Sequence, residues 1–410
     1  MGSIATLGLA HLELDWQKNH IAHNHSKLFQ KNDFKVVPYY YAEDDDKEAG
    51  EVAQKTALSK PLHSVKARLE LLGYTLPAIK AIYNSMRQED GRHALDGALT
   101  YSFSHFSKIL KGVNANKFTP NLMYQDYDPG ELVEKGIFQD IQFKDLAVNK
   151  SEGMFFENID PYLVLRLLAE NPANLETEVI WRFQDLIEGG WYSESKIFEP
   201  LAQEDKFLIV TEGSSDSIII EKALRLLRPE IADFFYFVDM EKNYPFTGTG
   251  NLHNFCQGLS RIKIQNRILI VYDNDLEGVI KFEQTESLEL PLNMRVMKLP
   301  NLSELTRFRT VGPQGSASVD VNGRASSIEC FLDLSFRERN PPWIQWTNFV
   351  EKRNSYQGAL NNKSKYVRHF KKVRKLTDAY DFSKLDRLLS EVISKCIKIS
   401  ESQMTSKSLG

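Results

Sequence analysis

Two short apolar runs that each end on acidic residues constrain this chain more than any other feature. One is KFLIVT at residues 206–211, which stops at Glu212-Gly213-Ser214-Ser215. The other is ILIVY at 268–272, which stops at Asp273-Asn274-Asp275-Leu276-Glu277-Gly278. Unbroken apolar runs of this length suit strands buried on both faces, and such strands belong to parallel sheets covered by helices. The surrounding sequence keeps that rhythm. A helix is expected over 216–228, ended by Pro229, with further strands over 234–238 and 294–299. The acids therefore fall at strand ends, where open α/β sheets bind their ligands.

Two carboxylates one residue apart, Asp273 and Asp275, repel each other at a strand tip unless a cation or hydrogen-bond donors compensate. Glu212, at the end of a neighbouring strand, adds a third acid. A hard divalent ion meets this need: Mg2+ takes a few carboxylates together with water and substrate phosphate. Mn2+, held by similar oxygen ligands, is the expected substitute. Asp-Asn-Asp alone also makes a good turn, so the signal lies in the combination of a strand-Glu-Gly-helix unit with a later strand-DxDxEG unit.

The pair LIVTEGSSD and ILIVYDNDLEG resembles the TOPRIM fold shared by topoisomerases, primases and the overcoming-lysogenization-defect (OLD) nucleases. The resemblance implies that Glu212, Asp273 and Asp275 bind magnesium. Asp216 matches the acid that OLD-like nucleases often carry four residues after the Glu, and Glu277 joins the expected ligand set. Ser327-Ile328-Glu329 resembles the SxE element that completes a second metal site in the nuclease branch, which assigns Glu329 to catalysis. Lys363, in YQGALNNKSKY, stands about where that branch keeps a catalytic lysine, with Lys365 nearly as good a candidate. The opening MGSIATLGLAHLEL and the segments GTGNLHNF and NGRASSIECFLDL are similar to bacterial HEPN/TOPRIM-associated proteins. Such proteins pair a characteristic N-terminal domain with a nuclease-like module and often belong to phage-defence systems. The ribonuclease HEPN signature itself appears only loosely, as Arg87 and His93.

At 410 residues the chain suits two or three domains. Its three cysteines show no CxxC pairing, which excludes a zinc ribbon and argues for a reducing, cytoplasmic setting. No signal-like leader and no long apolar run is seen, so no membrane association is expected. The net charge of −4 hides a local asymmetry: residues 352–375 hold nine Lys or Arg and no acid, with Tyr356, Tyr366 and Phe370 interleaved. Basic groups neutralise phosphates and aromatic faces stack on bases, so Lys365, Arg368, Lys371 and Lys372 are candidate nucleic-acid contacts, a solvated helix face being the alternative. The acidic run EDDDKE at 43–48, after a strand at 36–41, reads as an exposed loop, and the histidines His20, His23 and His25 as a loop or helix face. GPQGSASVDVNG at 312–323 reads as a flexible loop, and Gly248-Thr249-Gly250 as a turn.

These features define an α/β protein with a TOPRIM (Rossmann-like), mostly parallel sheet flanked by helices, an additional α+β N-terminal domain and a helical C-terminal region. The expected divisions are 1–115 for the N-terminal domain, 116–204 for a mainly helical connector with helices from Pro161 and over 175–187, 205–335 for the TOPRIM domain, and 336–410 for a basic helical region that completes the site. The expected activity is metal-dependent endonucleolytic hydrolysis of DNA or RNA, tRNA included, in a defence or toxin role. A restraining partner protein and an oligomeric state both remain compatible with this expectation. A topoisomerase would need a large tyrosine-bearing domain, and a primase usually a zinc module. The competing class is a TOPRIM-derived module that senses nucleic acid without cutting it.

Overall fold

Antiparallel pairing organises the N-terminal half. Strands β1 (Ile4–Leu9), β2 (Leu12–Lys18), β3 (Phe34–Glu43) and β4 (Asp46–Pro61) precede the helices α1 (Leu62–Leu72), α2 (Leu76–His93), α3 (Phe103–Gly112) and α4 (Pro161–Leu168). A fifth strand, β5 (Glu178–Arg182), and the short helix α5 (Gln184–Glu188) follow. The computed structural model describes residues 3–43, 46–93, 102–118, 159–238, 248–262, 264–337, 341–376 and 379–409. It divides into two units, 1–201 with 403–410, and 202–402.

In the first unit the sheet order is β2-β1-β5-β4-β3. Asp160 caps α4, its carboxylate accepting from the Tyr162 amide at 2.8 Å, and Pro161 fills the first helical position. The helix expected over 175–187 gives way to β5 at Glu178–Arg182 and survives only as the short α5. Val179 and Trp181 are fully buried while Glu178 and Ile180 are only half-buried, a two-residue period that fits the middle of a sheet. Pairing with β1 on one side and β4 on the other outweighs the helical spacing of Leu175, Val179 and Phe183. Only the last turn is helical, and it ends at Gly190, whose φ of +75° suits glycine. The acidic run is likewise no loop leaving the sheet. β3 continues to Glu43, which pairs with Asp46 of β4, so the run occupies a hairpin end; residues 44–45 lie outside the described residues.

The second unit opens with β6 (Phe207–Thr211), α6 (Ser214–Leu227) and β7 (Phe235–Phe237). Next come α7 (Thr249–Arg261), β8 (Arg267–Tyr272), β9 (Asn274–Asp275), α8 (Leu276–Glu286) and β10 (Met294–Lys298). The parallel sheet runs β10-β8-β6-β7, confirming the α/β class read from the apolar runs. Ile268, Ile270 and Tyr272 of β8 pack with Val210, Leu252, Cys256 and Val296 in one core cluster. Gly248, at a φ of +94°, turns the chain into α7.

A second sheet, ordered β12-β11-β14-β15, is built from β11 (Phe308–Gly312), β12 (Gly315–Val319), β14 (Ile344–Val350) and β15 (Ser355–Leu360). The expected loop at 312–323 is thus largely a hairpin, closed by Gly312 opposite Gly315. Its second strand, Gly315–Val319, is made of small residues that are exposed up to Val319. Between the hairpins lies β13 (Ala325–Ser326), and the chain ends in α9 (Lys363–Lys372) and α10 (Ser383–Leu409). The C-terminal region is therefore helical after a β-hairpin that its basic composition concealed. Among the described residues no helix is long and apolar enough to cross a membrane, and all three cysteines are free and buried.

Trp181 tests the reassignment of β5. Its ring is fully buried, 5.5 Å from His25 and 5.3 Å from Phe183. Trp181→Ala should lower stability by about 3–5 kcal/mol in denaturant titration; a loss below about 1 kcal/mol would place the residue outside the core.

Candidate metal centre

The register of the parallel sheet gathers the acids. Thr211 of β6 pairs with Val271 of β8, so Glu212 leaves its strand level with Tyr272 and next to Asp273. The Asp273 amide donates to Glu212 Oε1 at 3.0 Å. On the other side, Thr211 and Ser217 share a buried 2.8 Å hydrogen bond that ties the end of β6 to the start of α6. Asp216 is buried in the first turn of α6, where its Oδ2 accepts from the Gly213 amide at 3.1 Å. Asp275 caps α8, Oδ1 accepting from the Gly278 amide at 2.8 Å. Gly278 is needed there because a β-carbon on it would collide with the carbonyl oxygen of Asp273.

A two-stranded ribbon brings in the distant SxE element. β9 pairs with β13, Asp275 opposite Ala325 and Asn274 opposite Ser326, which places Ser327, Ile328 and Glu329 beside the paired aspartates. The Ile328 amide donates to Asp273 Oδ1 at 3.2 Å. Ser327 donates its hydroxyl to Glu329 Oε2 at 2.7 Å, and Lys363 Nζ, in the first turn of α9, lies 3.3 Å from the same oxygen. Of the two candidate lysines, the structure brings Lys363 to the acids, whereas Lys365 is exposed. Glu277 is exposed on the first turn of α8.

Two further residues, neither among the expected ligands, shape the site. Gln357 of β15 donates to Asp275 Oδ2 at 2.6 Å, and its Oε1 accepts from the amides of Leu276 at 2.8 Å and Glu277 at 3.3 Å. Asn274 is fully buried between Asn301 and Lys298, at 2.7 and 3.0 Å. Asn274 sits inside the DxD motif that flagged it, but no local pattern marks Gln357, because it reaches the site only through the pairing of β14 with β15.

The electrostatics follow from crowding. Burial first, and then the charges of Asp275, Asp216 and Glu277, push Glu212 up to about 8 despite the bond from the Asp273 amide. Burial and the charge of Glu329 raise Asp216, and burial with Asp216, Glu212 and Asp275 raises Asp273 well above the carboxylate range. Burial alone would lower Lys363; the negative charges of Glu329 and Asp273 reverse that and hold it above the ordinary lysine value. One ammonium thus faces several acids. The oxygen-only donors and surplus negative charge fit a hard divalent cation. Among the described residues no three acids, histidines or cysteines are already drawn into a metal cage. Magnesium does not require one, since it keeps several waters and takes one or two carboxylates directly.

Other candidates separate from this centre. Tyr366 and Phe370, expected to stack on bases, are buried on the inner face of α9, four residues apart, as a helical core stripe. The outer face keeps Lys365, Arg368, Lys371 and Lys372 exposed. His25 is not surface but core: it is buried, bonded to Asp15 at 2.7 Å and to the Tyr162 hydroxyl at 3.2 Å. Arg87 is exposed on α2, and the side chain of His93 lies outside the described residues.

Because the folded state raises Glu212 above its unfolded value of 4.5, its stabilising contribution is complete below that pH and lost as pH rises through about 8. Metal-free protein should therefore lose on the order of 2 kcal/mol of stability between about pH 6 and pH 8. Glu212→Gln should flatten the decline in chemical denaturation; an unchanged slope in that variant would contradict the crowding of these acids.

A family model described as HEPN/Toprim N-terminal domain 1 matches residues 1–205. That is half of the 410 residues. No curated protein and no solved structure matches the chain. On the match over its first 205 residues, the chain belongs to the HEPN/Toprim N-terminal domain 1 family.

Proposed function

We propose that residues 202–402 form a TOPRIM-type, divalent-cation-dependent endonuclease module acting on DNA or RNA. The observation that carries this is the meeting of Glu212, Asp273 and Asp275 at the ends of two adjacent parallel strands, with Glu329 and Lys363 delivered to the same place. Family membership points the same way, to a nuclease-like role connected with nucleic acid. A defence or toxin role rests on the sequence resemblance.

In this account Glu212, Asp273 and Asp275 would hold one magnesium ion, and Asp216 and Glu329 would help to hold a second. The chemistry such ions supply when bound is charge neutralisation at the attacking and leaving oxygens of the phosphodiester. The chain's own residues prepare the site. Lys363, kept protonated by Glu329 and Asp273, offers a positive charge to the non-bridging oxygens where negative charge grows during attack. Ser327 orients the Glu329 carboxylate, and Gln357 orients that of Asp275. The glycine at 278 lets the Asp273-Asn274-Asp275 turn lie flat against α8. A non-cutting sensor is the second reading, and the backbone donors that already occupy Glu212, Asp273 and Asp275 favour it.

The variants that separate the two are Glu329→Gln and Lys363→Ala. Each should cut labelled DNA or RNA about 100-fold or more slowly in magnesium, the scale of one lost transition-state charge contact. Filter binding of the same strands should persist, and Lys365→Ala should retain most of its activity. A parent that cuts no nucleic acid in magnesium or manganese would leave the sensor reading in place.

A further inference from the structure

Helices α6 and α9 both start at the acidic centre. Asp216 occupies the first turn of α6, and Lys363 opens α9 against Glu329. They meet again farther along. Lys222 of α6 donates to the carbonyl oxygens of Phe370 and Lys371 at 2.9 and 2.8 Å, closing the last turn of α9. At 1.5 Å of rise per residue, Lys222 lies about 9 Å along α6 from Asp216, and Lys371 about 12 Å along α9 from Lys363.

Between α6 and the end of α9 lies a cavity of about 460 Å3. Its charged lining is Lys222, Arg225, Lys371 and Arg374 with a single acid, Glu221, which is paired to Arg225 at 2.6 Å. The walls carry Ile218, Leu226 and Val373. Four cations lining one groove add their fields at an anion held there. Lys222 registers this field: burial, and then the charges of Arg374 and Lys371, lower its pKa. Lys371 and Arg374 are exposed at the rim, free to reach a ligand.

We propose that this groove is a second phosphate subsite, holding a backbone phosphate of the same strand whose scissile phosphodiester occupies the acidic centre. The proposal rests on the phosphodiesterase reading and adds the substrate's polarity along the protein. Successive phosphates of one strand advance about 3.4 Å along a helical axis. A groove about 9–12 Å farther along these helices therefore meets a phosphate within about three nucleotides of the one cut. Arg374 and Lys371 contact that phosphate, and Lys222 acts as a positioning residue that fixes the end of α9. Neither contact reads a base, so the subsite sets the minimum length of the substrate and not its sequence.

The test is fluorescence anisotropy of single-stranded DNA and RNA oligonucleotides in EDTA across a salt titration. Arg374→Ala and Lys371→Ala should each reduce the slope of log affinity against log salt by about 0.7, whatever the sequence. Lys352→Ala, outside the groove, should leave the slope unchanged. Oligonucleotides trimmed to one nucleotide either side of the cleaved bond should bind parent and groove variants alike. Parental slopes in both groove variants would overturn the subsite while leaving the cutting reading intact. Reduced slopes in the groove variants of a parent that never cuts would keep a phosphate contact in the groove and overturn both the cutting and the register to a scissile phosphate. Binding of inorganic pyrophosphate lost in Arg374→Ala, with no change in oligonucleotide slope, would assign the groove to a small phosphate ligand and overturn the strand assignment.

Discussion

Crowding Glu212, Asp216, Asp273 and Asp275 around one strand end, where burial removes the water that would screen them, is the constraint on which the rest of the second unit depends. Like charges in such a place favour protonation, as the raised pKa of Glu212 and the raised values of Asp216 and Asp273 record. Folding accepts this arrangement because the acids are held by backbone amides: Asp273 to Glu212, Gly213 to Asp216, Gly278 to Asp275 and Ile328 to Asp273. The parallel register supplies the first of these bonds and the β9–β13 ribbon the last. Local strain of charge is thereby stored at a site where an incoming cation would relieve it.

Much of this architecture was legible in the sequence, and the reason is physical. β6 and β8 are inner strands, so their apolar runs are continuous, and an acid at the end of such a run falls at the tip of the strand, where the ligand crevice of an open sheet lies. Asp160-Pro161 announced α4 because capping is local chemistry. What failed was what depends on distant pairing. β5 carries an apolar spacing that also suits a helix, and only its place between β1 and β4 decides the matter. The hairpin at 312–319 looked like a loop because its glycines and serines lack a buried face. Gln357 lies eighty-two positions from Asp275, so its bond to that carboxylate exists only once two sheets have formed.

The positive residues divide in the same way. Composition showed that 352–375 is basic, but the fold distributes those charges by face. Lys363 turns inward to Glu329, while Tyr366 and Phe370 pack α9 onto the core and so cannot stack on bases. The charges left outside face solvent or the groove shared with α6. One helix thereby contributes a charge beside the acids at its start and exposed basic side chains, Lys371 and Lys372, at its end.

The central claim is that the crowded acids exchange bound protons for a divalent cation. Calorimetric titration of magnesium into metal-free protein near pH 7, repeated in buffers of different ionisation enthalpy, counts the protons set free on binding. Because Glu212 is raised to about 8, it is largely protonated at that pH, and cation binding must displace that proton. The account predicts saturable binding with release of about one proton or more per chain, a release that shrinks in Glu212→Gln. Absence of binding at millimolar magnesium, or binding without proton release, would contradict it.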